Sequence, residues 1–359
     1  MNRRRKNLLR ACLLLILSLC LTAGCTGQTA RNDAPDGTAA DNDRPVIVTT
    51  IFPLYDWTDQ ILGPETDAEL VMLLDNGADL HSFQPTAQDV MKIATCDLFL
   101  YVGGESDDWV DDALREAVNP DLVALNLLDA MGDLAKIEEH VEGMEADHDH
   151  DAAEEHEETG HTEDQEETGH TEEQDHAHEE AERDEHVWLS LTNASFLCGV
   201  IADALKQIDP DNASRYDENL SAYQDRISSL DASYRETIAQ APGKTLLFGD
   251  RFPFRYLTDD YGLSYYAAFS GCSAETEASF ETVTFLSGKT DELGLNSVLI
   301  IDGGDGKIAQ TIVQNTASKN QKILSLNSMQ GITGQDVRDG ADYLSVMEEN
   351  LRVIQEALQ

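Results

Sequence analysis

Two blocks of the sequence alternate short apolar runs with stretches of helical period, and one long helical pattern separates the blocks. Residues 45–209 and residues 243–359 each carry four candidate strands. These strands are Val46–Ile51, Leu70–Leu74, Leu98–Val102 and Leu122–Leu125, then Thr245–Phe248, Leu263–Ala267, Ser297–Ile301 and Ile323–Leu326. Strands that alternate with helices form a parallel sheet with helices on its faces. The pattern predicts an α/β protein of two lobes, each with a small, mainly parallel sheet flanked by helices.

The long helical pattern lies between the blocks, at residues 210–242, and predicts one connecting helix. From Asp211 to about Gln240, apolar residues recur three and four positions apart. They are Leu220, Tyr223, Ile227, Leu230, Tyr234 and Ile238. Pro242 and Gly243 end the pattern. We therefore expect one long helix to join an N-terminal and a C-terminal lobe.

The first 24 residues have the character of a secretory signal. Basic residues precede Ala11–Ala23, a mostly apolar run shorter than the ~20 residues of a membrane-spanning helix. The run ends in LTAGC at residues 21–25, which resembles the lipobox of bacterial lipoproteins. We predict cleavage before Cys25, lipidation of Cys25 and a flexible tether over residues 25–44, on the extracytoplasmic face of the cell membrane. The alternative is an ordinary cleaved signal peptide.

The chain is strongly acidic, with a formal net charge of −45. Loss of residues 1–24 would remove five positive charges and no negative ones, leaving −50. Nucleic acids and anionic lipid surfaces should repel such a chain, whereas cations should be attracted. Beyond Cys25 the mature chain has only Cys96, Cys198 and Cys272, too scattered for a disulfide scaffold or a CxxC metal site. At most one disulfide can form among them.

Residues 138–185 interrupt the α/β pattern with an acidic, histidine-rich tract. The tract holds 23 Asp and Glu residues, one Arg and two near-identical nonapeptides, EETGHTEDQ and EETGHTEEQ. Because it has almost no large apolar residue, we predict a disordered loop. Its histidines predict auxiliary metal sites, since such tracts bind divalent ions through weak, adaptable sites. They are His140, His148, His150, His156, His161, His170, His176 and His178. The alternative is a solvated insertion without a role.

Two histidines lie outside this tract. His81 follows a candidate strand within NGADLHSFQP, and His186 stands where the apolar pattern resumes. Loops at strand ends are where α/β folds place ligand sites, and neutral imidazole is a common zinc ligand. Taken alone, each position favours an ordinary loop histidine over a metal ligand.

Four strings in one order resemble the zinc/manganese solute-binding lipoproteins of bacterial ABC importers. They are GADLHSFQP, DEHVWLSLTNA, IDPDNASRYDENLSAYQ and GADYLSVMEENL, and the likeness covers nearly all of residues 46–359. The resemblance implies a protein that captures zinc and delivers it to an ABC permease and its ATPase. It also implies that His81 and His186 bind the metal. We expect a monomer that is not an enzyme.

The third ligand is where the sequence departs from that family. A count back from Tyr261 puts Arg251 at the position where the family has His or Glu, and Arg cannot coordinate a cation. We predict Asp250 as the substitute; alternatively, Asp250 pairs with a neighbouring Arg or caps local backbone. Glu275, Glu277 and Asn327 remain unranked candidates for a fourth ligand.

The sequence leaves alternatives open for the identity of the metal and for the function of the protein. Two imidazoles and the histidine-rich tract favour zinc, whereas an Asp ligand favours manganese. A manganese importer component, a surface adhesin and a metal-buffering lipoprotein are the rival functions. A metallohydrolase is disfavoured because the sequence has no HExxH motif, and a site closed by protein ligands suits capture.

Overall fold

A computed structural model describes residues 44–145, 182–273 and 277–359. The predicted signal peptide, nearly all of the tether, Cys25 and Glu275 lie outside the described residues. So do most of the tract histidines, namely His148, His150, His156, His161, His170, His176 and His178. Within the described ranges, no helix is both long enough and apolar enough to cross a bilayer.

The first block forms a four-stranded sheet in which every pairing is parallel. Its strands are β1 (Val46–Thr49), β2 (Glu69–Met72), β3 (Leu98–Tyr101) and β4 (Val123–Asn126). Their order is β2-β1-β3-β4, and Val48 is in register with Val71 and with Phe99. The sheet is buried at its centre, since Ile47, Val48 and Phe99 are fully buried.

The second block repeats this arrangement with its own four strands. They are β5 (Thr245–Phe252), β6 (Ser264–Ser270), β7 (Ser297–Ile301) and β8 (Lys322–Leu326), in the order β6-β5-β7-β8. All pairings are parallel, and the register of β5 with β6 shifts between Phe248 and Arg251. The eight predicted strands and the two-lobed α/β fold are therefore confirmed.

Helices cover the faces of both sheets. In the first block they are α1 (Phe52–Leu62), α2 (Ala87–Thr95), α3 (Val110–Arg115), α4 (Leu127–Met131) and α5 (Leu191–Ile208). The connecting helix is α6 (Ala213–Gln240). The second block has α7 (Arg255–Tyr261), α8 (Phe280–Leu293), α9 (Lys307–Asn315), α10 (Gly334–Arg338) and α11 (Tyr343–Ala357). The sequence pattern did not predict α1, α4, α7 or α10; α4, α7 and α10 are short.

Helix α6 ties the two halves together along one apolar stripe. Five of the six predicted stripe residues are buried, and Tyr216 extends the stripe at its start. Tyr223 donates a hydrogen bond to Asp56 of α1 at 3.0 Å, and Tyr234 donates one to the Met347 carbonyl of α11 at 2.6 Å. One core cluster of buried side chains runs from Ile47 to Leu358. Both lobes therefore rest on the same helix and share a core.

The sheet order decides where a site can form. In the first sheet β1 and β3 are neighbours: β1 is followed by β2 on one side, and β3 is followed by β4 on the other. The second sheet repeats this with β5 and β7, so each sheet has a topological switch point between these two strands. Open parallel sheets bind ligands at the carboxyl ends of their strands, beside such a point. The loops after β2, β3 and β6 emerge at those ends, and they carry His81, Ser106 and Cys272.

Candidate metal site

His81 lies on a 3-10 turn, Leu80–Ser82, in the loop after β2. The carboxylate of Asp79 caps the turn, because Oδ1 accepts a hydrogen bond from the His81 backbone N–H at 3.0 Å. Leu80 is almost completely buried and anchors the turn in the core. The imidazole of His81 is thus held by a buried neighbour and by a cap.

His186 is fully buried at the start of a second 3-10 turn, Val187–Leu189. Both its backbone N–H and its Nδ1 lie 2.9 Å from Asp184 Oδ1. A carboxylate oxygen accepts hydrogen bonds, so this contact places the imidazole proton on Nδ1 and leaves Nε2 with a lone pair. Trp188, which packs against the His186 ring, donates its indole N–H to the Ser328 carbonyl at 2.9 Å.

The two imidazoles converge through their Nε2 atoms, which lie 3.3 Å apart. His81 Nδ1 is also occupied, because it lies 2.7 Å from Ser106 Oγ and 3.5 Å from Glu185 Oε2. In both rings Nδ1 is engaged, and Nε2 is the atom that faces the other ring. A tetrahedral zinc with Zn–N bonds of about 2.0–2.1 Å holds two ligand nitrogens about 3.3 Å apart. The observed spacing fits a metal ion between the rings.

Carboxylates stand behind both imidazoles, as they do in many metal sites. Glu185 Oε1 accepts a hydrogen bond from the Ser106 backbone N–H at 2.9 Å. Gly104 makes room for this side chain, because its φ is +83° and a Cβ there would lie 2.4 Å from Glu185 Oε1. Burial raises the pKa of Glu185. Ser106, Asp184 and Glu185 were not singled out from the sequence.

Burial, followed by the neighbouring His186, lowers the pKa of His81 to about 4. Its imidazole is therefore neutral at neutral pH, and the neutral ring is the form that binds a metal.

Cys272 is the third member of the cluster. One ligand atom from each of His81, His186 and Cys272 lies within 4.8 Å of the other two. Burial, followed by the charges of Glu138, Glu185 and Asp184, raises the pKa of the Cys272 thiol. Cys96, Cys198 and Cys272 are all free cysteines, and Cys96 and Cys198 are buried. Sequence reasoning missed Cys272, although its place just after a candidate strand is the same feature that drew attention to His81.

Asp250 lies on β5 of the second lobe and does not join the cluster. Its Oδ1 accepts from the Arg251 backbone N–H at 2.9 Å, and its Oδ2 accepts from the Ile301 backbone N–H at 3.3 Å. The irregularity in β5 between Phe248 and Arg251 turns this carboxylate toward β7. The arrangement corresponds to the alternative that Asp250 caps local backbone.

Arg251 has a different partner. Its guanidinium donates to Asp79 Oδ2 at 2.7 Å, so β5 contacts the turn that carries His81. The pKa of Asp79 is raised by burial but lowered more by this hydrogen bond and by the Arg251 charge, and the net direction is down. An open cleft of about 540 Å³ lies beside these two segments, and His81, Asp250 and Arg251 are among the residues that line it.

The remaining predicted residues are not brought to the cluster. Asn327 Oδ1 accepts from the Met329 backbone N–H at 2.7 Å, and Asn350 bonds both backbone groups of Asn327. Glu277 is exposed, His140 lies on the surface, and Glu275 is outside the described residues. Asn327 therefore shapes its own loop.

The predicted disorder of residues 138–185 is wrong at both ends of that segment. The Glu138 N–H donates to the Glu182 carbonyl and the Asp184 N–H donates to the Lys136 carbonyl, each at 2.8 Å. Glu138 Oε1 also accepts from the Cys272 backbone N–H at 3.0 Å. Composition gave the wrong result here because these acidic groups have tertiary partners.

Two parallel sheets joined by one long helix, with a cleft lined from both, define a two-lobed binding protein. This chain belongs to the ZnuA family, described as zinc-uptake complex component A, periplasmic, which matches residues 47–357. The resemblance found in the sequence is thereby confirmed.

Individual relatives support the same assignment. The zinc-binding lipoprotein AdcA of Streptococcus pneumoniae is 31% identical over 312 residues, which cover 86% of this chain and 55% of that protein. This chain thus spans about half the length of AdcA. The high-affinity zinc uptake system protein ZnuA of Bacillus subtilis is 28% identical, over 96% of this chain and 97% of that protein. The crystal structure of the Zn(II)-bound ZnuA-like domain of S. pneumoniae AdcA superposes with a TM-score of 0.63 at 25% identity, covering 88% and 99% of the two chains.

Proposed function

We propose that this protein captures zinc outside the cytoplasm and delivers it to an ABC importer. The observation that carries the proposal is the pair of imidazole Nε2 atoms 3.3 Å apart, each ring with its Nδ1 already engaged. Two imidazole nitrogens that face each other can share a proton or a cation, and the distance suits two ligands of one zinc ion.

Zinc is favoured over manganese by the chemistry of the donor atoms. Imidazole nitrogen suits zinc, whereas manganese prefers carboxylate and water oxygens. The carboxylate predicted as the third ligand, Asp250, is engaged with backbone N–H groups. The relatives named above are zinc-binding or zinc-uptake proteins, which supports the same choice.

Capture followed by release, without catalysis, fits the place of the site. The histidines come from the first lobe, and the cleft beside them is also lined by Asp250 and Arg251 of the second. Movement of the lobes about α6 would open this cleft and release the metal. The partners that follow are a permease and its ATPase, with the protein acting as a monomer held at the membrane by a lipid on Cys25.

The first experiment tests the histidines by competition titration with a zinc chelator. His81→Ala and His186→Ala should each weaken the tight site by about 100-fold or more, since loss of an outer-shell partner alone costs about 10–100-fold. The matched control is His140→Ala, which removes an exposed histidine of the tract predicted only as an auxiliary ligand and should leave the tight site unchanged. Wild-type affinity in both site variants would refute the proposal.

A second experiment separates transport from adhesion. A strain that lacks the gene should grow poorly when zinc is withheld, and the wild-type gene should restore growth while the His81→Ala gene does not. If growth under zinc limitation does not depend on the gene, an adhesin or a metal buffer is the better interpretation.

Anchoring has its own test. Cys25→Ser should prevent lipid attachment and release the protein from the membrane fraction. A variant that stays with the membrane would show that the anchor is not at Cys25.

A further inference from the structure

We propose that the Cys272 thiolate is the third zinc ligand, so that the site has two nitrogens and one sulfur. The inference rests on the zinc site proposed above and names a donor that the resemblance did not supply. With His81 and His186, Cys272 would fill three positions of a tetrahedral ion.

Proximity carries the proposal. The three ligand atoms lie within 4.8 Å of one another, and among the described residues no other set of three or more His, Cys, Asp or Glu side chains meets this limit. A zinc ion with Zn–N bonds of about 2.0–2.1 Å and a Zn–S bond of about 2.3 Å needs only a modest closing of such a set. The cluster comes from three separate loops, so it is not a by-product of local sequence.

The loop that carries Cys272 is fixed on several sides. It leaves the end of β6, where Ser270 is in register with Phe252 of β5. Gly271 lies against the His186 ring, because a Cβ on Gly271 would stand 3.1 Å from His186 Cε1. Glu138 accepts a hydrogen bond from the Cys272 backbone N–H. The sulfur is therefore held at the histidine pair by its backbone.

The competing donors are otherwise engaged. Asp250 accepts hydrogen bonds from two backbone N–H groups, and Asp79 accepts one from the Arg251 guanidinium. A cysteine is chemically suited to be the third ligand because thiolate is a soft donor that zinc accepts and manganese does not favour. On binding, the Zn–S bond forms and the thiol proton passes to solvent.

One consequence concerns the selectivity of the site for zinc over manganese. With a sulfur donor the site should discriminate against manganese more strongly than two imidazoles alone would. A site that used Asp250 in place of Cys272 would tolerate manganese better, since its third donor would be a hard oxygen.

Cobalt(II) provides a direct test, because a thiolate bound to cobalt gives a charge-transfer absorption in the near ultraviolet that nitrogen and oxygen donors do not give. The full chain is loaded with one equivalent of cobalt; the histidine-rich tract contains no cysteine and cannot produce this band. We expect the band in the wild type and in the control Cys198→Ala. It should be absent in Cys272→Ser and Cys272→Ala.

Zinc affinity is measured on the same proteins. Both Cys272 variants should bind zinc about 10–100-fold more weakly or worse, and Cys272→Asp should recover part of that affinity while reducing the preference for zinc over manganese. Circular dichroism checks that each variant is folded, and a misfolded one is replaced by the other Cys272 substitution.

The outcomes separate this inference from the zinc site itself. If wild-type protein binds cobalt without the charge-transfer band and Cys272→Ser keeps wild-type zinc affinity, Cys272 is not a ligand, while loss of affinity in His81→Ala preserves the proposed function. If neither histidine variant loses affinity, both proposals fail together.

Discussion

Arg251 of the second lobe holds Asp79 of the first at 2.7 Å, and the other oxygen of Asp79 caps the turn that carries His81. Each side chain is less than one third exposed, so solvent screens this pair less than a surface ion pair. Arg251, which the sequence count places at a family ligand position, therefore stabilises the turn that carries the proposed ligand His81.

Removal of that pair should weaken zinc binding without abolishing it. We expect Arg251→Met to lower the zinc affinity by about tenfold, within the range for residues that position a ligand. Arg352→Met, which removes an exposed arginine paired with Glu349, is the control and should have no effect. Competition titration of both variants decides; equal affinity for wild type and Arg251→Met would show that the contact does not position His81.

Asp184 should contribute to zinc affinity because it orients the His186 ring. Asp184→Ala removes the acceptor 2.9 Å from His186 Nδ1, so the ring loses its orientation and part of its basicity. Zinc affinity should fall by about 10–100-fold. Asp129→Ala, which removes an exposed partner of Arg183, is a nearby control. Retention of wild-type affinity in Asp184→Ala would contradict the assigned role.

Gly271 is required for close approach. An added Cβ would lie 3.0 Å from the Phe252 carbonyl oxygen and 3.1 Å from His186 Cε1, so backbone or ring must shift. Gly271→Ala should lower both the midpoint of thermal unfolding and the zinc affinity. In Gly288→Ala, within α8, the new Cβ meets nothing within 4 Å and should raise stability by about 0.5–1 kcal/mol. Thermal unfolding and titration of both variants test this contrast.

The histidine-rich tract should be separable from the tight site. Backbone hydrogen bonds join the two ends of the tract, between Glu138 and Glu182 and between Asp184 and Lys136. Removal of residues 146–181 should therefore leave these two ends paired. The shortened protein should bind fewer zinc ions but keep its tight site. Metal analysis after dialysis gives the stoichiometry. Disappearance of the tight site would place it within the tract.

The buried carboxyl group of Asp56 should make the free energy of unfolding depend on pH. Burial raises its pKa from 3.8 to about 7. The groups that face it are Asp59 of α1, Cys198 of α5, Tyr223 of α6, and Asp342 and Tyr343 beside and in α11. Between the two pKa values the folded protein holds a proton that the unfolded chain has lost, so this contribution to the free energy of unfolding falls as pH rises, by about 1.4 kcal/mol per pH unit.

Asp56→Asn should remove that dependence while its amide oxygen still accepts from Tyr223. Urea unfolding at about pH 5 and about pH 8 should therefore show the variant gaining on the wild type at the higher pH. Asp225→Asn, at an exposed position of α6, should not alter the slope. Parallel pH profiles for wild type and Asp56→Asn would contradict the prediction.

Local sequence was sufficient for the strands, the connecting helix and two ligand candidates. Apolar runs such as Val46–Ile51 mark strands because a buried strand needs apolar side chains on both faces. The stripe from Tyr223 to Ile238 marks α6 because helical period and burial coincide. His81 and His186 could be chosen because strand-end loops and family strings pointed to the same residues.

The third member of the cluster was decided by tertiary structure alone. Whether Asp250 or Cys272 reaches the histidines depends on the irregularity of β5, on the approach of Gly271 to His186 and on the engagement of Asp250 by Ile301. The local sequence pattern predicts none of these three features, because each results from packing between segments far apart in the chain. Sequence determines which elements form; the order of strands in each sheet and the packing of the lobes on α6 determine which side chains meet.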